Sequence, residues 1–289
     1  MSSPSSSPTS SQSEAGESGS PGPSHTRPKE YFVSSAVIRA QSKLSVKALH
    51  KFVRGGDGYE VSVPTSDESV ASGRSSTTDG HFFYFYRDVI TRLGLQFPFS
   101  TFQENLLRHL HLAPSQLHPN GWAFAMAFEN YCRQHQLTCS VPVFCSFFCP
   151  LEIGLTSEDE KTWYGWTSLR ACPGLKYLKP FSDSWKGFKT SFFKVVSQPG
   201  ELCWFLQSSP TGEAEGRFPL YWEDTHHKFA AKDFLPAPSQ FSESEEATIV
   251  TLTELANRKG ALVNSADYIF SSNKSQPISG MLIFGAWSL

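Results

Sequence analysis

Two prolines five positions apart, followed at once by an apolar stretch with helical spacing, constrain this chain more than any other feature. Pro114 and Pro119 bracket Ser115, Gln116, Leu117 and His118 in the string LAPSQLHPNGWAFAMAFENYC, Leu112 to Cys132. Proline fixes φ and biases the residue before it away from helix, so Ala113 and His118 are expected to be extended. Pro119 then suits a first helical turn, where its missing N–H costs nothing. Beyond it Trp122, Ala125, Met126, Phe128, Glu129 and Cys132 keep the spacing of one helix face, and Phe124 and Tyr131 widen it. A stripe this wide needs partners on two sides, so the spacing predicts an interior helix with Trp122 and Phe128 in the core.

Around that helix the chain reads as α+β. Its 14% aromatic content is enough for a real core. Residues 1–30 are a Ser/Pro-rich tail that buries too little apolar surface to order itself. Residues 31–80 carry a short helix from Leu44 to Phe52, with Val46, Leu49 and Val53, then a strand from Tyr59 to Val63 and a polar loop. Residues 81–235 form the globular domain. There Phe82, Phe85, Val89 and Leu93 keep helical spacing up to Gly94. Ser100 and Gln103 form a capping box ahead of Phe102, Leu106, Leu107 and Leu110. Ser140 and Pro142 start a further helix that Pro150 closes. Three to four helices in succession predict a helical subdomain.

Strands follow. Trp163–Leu169 and Lys176–Lys179, separated by a Cys-Pro-Gly turn, suit strands, as do Leu202–Gln207 and Phe218–Trp222. Ser184 to Val196 suits a helix, or a bend and a strand. A small antiparallel sheet packed on the helices results. Residues 236–289 read as a linker, a helix from Glu246 to Lys259 with Leu252 and Leu255 inward, and an apolar tail with no assigned place.

The string Leu112–Cys132 resembles the hallmark segment of a plant family of gypsy-type transposon proteins. The blocks FFYFYRDVITRLGLQFPFSTFQENLLRHL, SVPVFCSFF, WYGWTSL, KPFSDSWKGFKTSFFKV and FPLYW resemble that family's other blocks in the same order. Together they cover residues 44 to about 235. Leu117, His118, Pro119, Asn120, Trp122 and Phe128 carry the motif. The resemblance implies a retrotransposon-derived, Gag-like protein and supplies no established activity. Gly121 departs from it, since the family has a small non-glycine residue there; glycine weakens a helix start by up to ~1 kcal/mol.

The interaction signal is the block from Lys161 to Lys194. Lys176, Lys179, Lys186, Lys189 and Lys194 are interleaved with Trp163, Trp166 and Trp185, and Asp183 is its one carboxylate. Lysines neutralise phosphates and rings stack on unpaired bases, so the mixture fits single-stranded RNA or DNA. It fits better a solvated basic face over a buried aromatic core, because a small sheet needs those aromatics. The net charge of −2 adds no general attraction to nucleic acid or anionic membrane.

Enzymatic readings fare worse. No pair of adjacent aspartates, GKS/GKT-type phosphate loop or aspartic-protease signature occurs. Cys145 and Cys149 lie one helical turn apart but lack partners at zinc-site spacing, and none of the six cysteines forms Cys-x-x-Cys. No cofactor, metal or small-molecule substrate is indicated. The chain shows no secretory leader and no apolar run of about 20 residues, so an intracellular location in cytoplasm or nucleus is expected. Two functions stand: a non-enzymatic protein that self-associates or binds nucleic acid, and, as the alternative, a cryptic hydrolase or nuclease. A decayed element with no selected function is the bland outcome.

Overall fold

A computed structural model describes residues 30–73, 80–152, 156–158, 161–182, 184–200, 203–206, 217–237, 241–258 and 263–271. The N-terminal tail expected to be disordered therefore lies outside the described residues, as does most of the C-terminal tail. The chain runs β1 (Glu30–Val33), α1 (Ser35–Ile38), α2 (Val46–Leu49), β2 (Tyr59–Ser62), β3 (Phe82–Tyr86), α3 (Arg87–Leu93), α4 (Thr101–Leu110), α5 (Pro119–Gln134) and α6 (Val141–Phe147). It continues through β4 (Phe148–Glu152), β5 (Thr156–Glu158), β6 (Lys161–Tyr164), β7 (Thr167–Ala171), β8 (Leu178–Lys179) and β9 (Phe192–Ser197), then α7 (Glu243–Asn257), β10 (Val263–Asn264) and α8 (Ser265–Ser271). The class is α+β. The strands fall into four small sheets, ordered β1-β6-β5, β2-β9-β3, β4-β7 and β10-β8. The pairs β1–β6 and β10–β8 are parallel and the rest antiparallel.

Helix α5 is the hub. Pro119 opens it, and the His118 ring nitrogen Nδ1 accepts the Asn120 amide at 3.1 Å as the cap. Every residue from Gly121 to Phe128 is buried, with Trp122 1% exposed and Phe128 fully covered. The Trp122 indole N–H is satisfied by the Pro114 carbonyl at 3.1 Å, so the paired-proline turn and the helix lock each other. The Ser100–Gln103 capping box starts α4, and the Gln103 side-chain amide donates to Glu129 on α5 at 2.8 Å. Ser140 caps α6, and Gly94 ends α3 in the left-handed region at φ 75°.

Gly121 has a specific packing reason. A Cβ placed there would lie 2.5 Å from Leu117 Cδ1, and Leu117 is fully buried. The small helix penalty lets the turn fold onto the first helical turn.

Seven sequence expectations are corrected. Phe82 to Tyr86 is a strand, not the start of a helix; the helix begins only at Arg87. All five residues are buried because the sheet is covered on both faces. Phe83 and Phe85 pack on Phe97 and Phe99, and Phe85 on Trp122, while Tyr86 meets Phe188 and Phe82 meets Tyr221. An unbroken apolar run fits such a strand as well as a buried helix. Helix α6 ends at Phe147, and Pro150 sits inside β4 opposite Leu169. Trp163–Leu169 splits into β6 and β7 in different sheets, and β8 pairs with β10 rather than β7. Trp204–Leu206 is a 3-10 turn, and 218–222 forms no strand although Phe218 and Trp222 are buried. Helix α2 is only four residues long and leaves Val46 60% exposed.

Of the two readings of Ser184–Val196, the bend and strand is the one adopted, as β9. Residues 263–271, for which the sequence offers no place, pack on α5 and β8, with Ile269 buried.

Candidate functional site

The hallmark residues form joints. Ser115 accepts the Trp222 indole N–H at 2.9 Å and Gln116 meets the His227 ring at 3.4 Å, so the turn holds a segment more than a hundred positions away. The His118 amide donates to the Thr167 carbonyl at 2.7 Å, and the Thr167 amide donates to Gln116 at 2.9 Å, fastening the turn to β7. Leu117 lies buried between them. Asn120 is a two-way clamp: its amide donates to the Ser182 carbonyl at 2.9 Å and its oxygen accepts the Trp185 indole N–H at 2.7 Å. Trp122 and Phe128 are core, as described above.

His118 is neutral by construction. Burial first, and then the nearby Lys189 ammonium, hold its pKa down to about 4. Its Nδ1 is already spent as an acceptor on the helix start, so the ring is a cap and too weak a base for chemistry near neutral pH.

The basic and aromatic block divides into two layers. The Trp166 indole is buried and donates to the Tyr86 hydroxyl at 2.6 Å. The Trp185 ring is buried beneath the Arg92 guanidinium, 4.1 Å from its centre, and stacks on Phe181 at 5.6 Å. Neither ring offers a free face, so both drop out as platforms for bases; the small sheets need them as core. The side chain of Trp163 lies outside the described residues, as does Asp183. Lys194 is also committed. It sits on β9, paired with Glu68, with its ammonium 4.4 Å from the Phe82 ring centre. Lys189 is exposed but lies 4.3 Å over the Trp166 ring. Lys176, Lys179 and Lys186 are exposed.

Beside the clamp an open cleft of about 450 Å³ is lined by Asn120, Phe124, Arg170, Cys172, Lys176 and Pro180, among others. Arg170 is exposed, and no described residue of the lining is acidic. Lys179 precedes Pro180, and Lys186 follows the clamped Trp185. The loop carrying these cations is thus pinned to the start of α5. Arg92, which roofs the clamp, is not legible in the sequence, since nothing local links it to a tryptophan 93 positions on.

Four of the six cysteines, Cys139, Cys145, Cys172 and Cys203, have raised thiol pKa values. Cys149 beside Cys172, and Cys132 beside Cys139, help to raise the Cys172 and Cys139 thiols. Burial pushes the Cys145 thiol up, the Cys203 thiol up to about 11, and, with Cys149 adding to it, the Cys172 thiol up to about 12. Raised thiols are poor nucleophiles. Among the described residues no three His, Cys, Asp or Glu side chains converge as a metal-holding group, and no helix is long and apolar enough to cross a membrane.

Residues 85–151 match the family model described as "Putative gypsy type transposon". The matched stretch runs from Phe85 in β3 to Leu151 in β4 and takes in α3 to α6, the whole run of helices around the hub. This transposon-type match suggests a retrotransposon-derived protein. It is narrower than the span of ordered blocks, and the cations that flank the cleft fall beyond its C-terminal limit, while Asn120 falls within it. No curated protein and no solved structure matches the chain.

Proposed function

We propose that this chain is a non-enzymatic, retrotransposon-derived module, Gag-like in role, that holds single-stranded nucleic acid by its phosphate backbone. The contact is the strip formed by Arg170, Lys176, Lys179 and Lys186, with Lys189 at its margin. The observation that carries the reading is the cleft beside Asn120: two cations flank it, no described lining residue is acidic, and the loop bearing the others is clamped to α5. A clamped cation loses less freedom on meeting a phosphate than a loose one. The covered tryptophans remove base stacking from the site, so the contact is electrostatic and indifferent to sequence. The raised thiols and the capped His118 support a role without covalent catalysis.

Fluorescence anisotropy with a labelled single-stranded RNA tests this. Four phosphates neutralised on a single strand give a slope of log K against log salt of about −3. Arg170→Glu with Lys176→Glu is expected to weaken binding about tenfold or more, since each reversal removes one phosphate pairing and sets a carboxylate against the strand. Lys47→Glu makes the same kind of charge change at an exposed residue outside the cleft lining and is expected to leave affinity nearly unchanged. Equal losses at both places, or no binding at low salt, would overturn the proposal.

A further inference from the structure

Strand β7 has one edge paired and part of the other open. Against β4 the register sets Leu151 opposite Ser168 and Cys149 opposite Arg170, and the Cys172 amide donates to the Phe147 carbonyl at 2.8 Å. In an antiparallel pair, bonded and non-bonded positions alternate along the strand. Ser168, Arg170 and Cys172 therefore turn their backbone groups to β4, while Thr167, Leu169 and Ala171 turn theirs to the far side. Thr167 fixes this phase: its carbonyl accepts the His118 amide at 2.7 Å, and its amide donates to the Gln116 carbonyl at 2.9 Å. Pro150, with no N–H to give, sits opposite Leu169, where the ladder asks for none. The paired-proline turn thus pairs with the first residue of β7, in parallel through Leu117, and then departs into α5. Among the described residues no backbone bond from another segment takes its place at Leu169 or Ala171.

We infer that this open edge takes an extended acidic peptide of a partner protein, added as a strand beside β7. Leu169 and Ala171 both line the 450 Å³ cleft, so the edge opens into a space already formed. It offers N–H donors and C=O acceptors in turn, and a peptide backbone carries the matching set. A phosphate backbone brings acceptors for the N–H groups and leaves the two carbonyls unmet. The side chains of an added strand alternate between its faces. On the face where Leu169 is buried they meet the Phe124 and Leu178 walls, which suits apolar residues. On the face where Arg170 is exposed they come beside its guanidinium and the exposed Lys176, which suits carboxylates. No residue of the lining is acidic, so the charge match selects an acidic partner over a basic one. This contact rests on the backbone of β7, whereas the nucleic-acid reading rests on the cations alone, so either can stand without the other.

The test titrates the full chain into a short labelled peptide of alternating glutamate and valine, with fluorescence anisotropy as the readout. Two N-methylated forms of that peptide separate strand addition from plain charge attraction. A strand turns every second amide toward its neighbour, so methyl groups on one alternating set block the bonds to β7 and those on the other set face away. One form is expected to keep the parent's affinity, and the other to lose it about tenfold or more. Ala171→Pro removes one N–H of the open edge, keeps every bond to β4, and sets a ring where the added strand would lie; it is expected to weaken the parent peptide about tenfold. Should Ala171→Pro fail to fold by circular dichroism, the two methylated peptides on the wild-type chain decide. No binding of the parent peptide, equal affinity for the two methylated forms, or full affinity in folded Ala171→Pro would each overturn the inference. A wild-type chain that shows the expected peptide pattern and does not bind RNA supports this inference and overturns the nucleic-acid reading alone.

Discussion

Replacing Asn120 by alanine should loosen the loop that carries the cations, and the size of the effect can be worked from the clamp. The change removes two hydrogen bonds, to the Ser182 carbonyl at 2.9 Å and from the Trp185 indole at 2.7 Å. Each such bond contributes about 1 kcal/mol net. Ser182 is only half-buried, so its carbonyl recovers water. Trp185 is buried, so its N–H is stranded, which adds about 1–3 kcal/mol. Alanine returns at most about 0.7 kcal/mol of helix propensity, and less at the second helical position. The expected loss is about 2–4 kcal/mol. Asn120→Asp keeps an acceptor for the indole and gains from the helix N-terminus by about 0.3–1 kcal/mol, while its carboxylate faces the Ser182 carbonyl oxygen, so it should cost about 1–2 kcal/mol. Urea unfolding followed by circular dichroism measures these differences, with the slope expected to stay constant. Trp185→Phe in both backgrounds closes a double-mutant cycle, in which the Arg92 contact largely cancels and a coupling of about 1–2 kcal/mol remains. A cost for Asn120→Ala under about 0.5 kcal/mol, with coupling near zero, would refute the clamp.

Three further outcomes are expected. The pKa of His118 is depressed in the fold, to about 4 against 6.5, so the unfolded chain binds the extra proton first. Its contribution is whole above pH 6.5 and is lost as pH falls toward 4, by up to about 3 kcal/mol; His118→Asn, which retains a capping acceptor, should flatten that part of the stability–pH curve. Gly121→Ala gains up to about 1 kcal/mol of helix propensity but forces a Cβ against buried Leu117, so thermal melting should show a net loss of about 1–2 kcal/mol; a gain would mean that Leu117 yields. Lys194→Glu faces Glu68 over the Phe82 ring and should destabilise by about 3–5 kcal/mol, partly rescued by Glu68→Lys, whereas exposed Lys189→Glu should cost about 1 kcal/mol or less in the same denaturation assay.

Where the sequence is readable, the information is local. Caps at Ser100, Ser140 and Gly94 and the three-and-four spacing after Pro119 each act within one helical turn, and α3 to α6 end up near where these signals put them. Helix α7 begins three residues ahead of the expected Glu246 because Ser242 and Glu245 form a capping box there. Phe82 to Tyr86 misleads because aromatic residues at every position satisfy helix and strand alike; what decides is β9, which pairs with it from beyond residue 190. The candidate site is legible only as a composition. Whether a ring is a platform or a core filler depends on contacts such as Trp166 to Tyr86, 80 positions apart, and whether a lysine is available depends on Glu68, 126 positions from Lys194. No window of sequence contains either fact.

The arrangement of β2, β9 and β3 has a consequence for how the protein is made. The middle strand is the last of the three to be synthesised, and Phe192 comes 106 positions after Tyr86. At about 5–20 residues per second, the ribosome leaves the sticky segment Phe82–Tyr86 without its mate for roughly 5–20 s. During that interval five aromatic side chains must be sheltered by nascent helices or by a chaperone. Yield in a cell will therefore depend on translation speed and holdase supply at least as much as on the final stability of the fold.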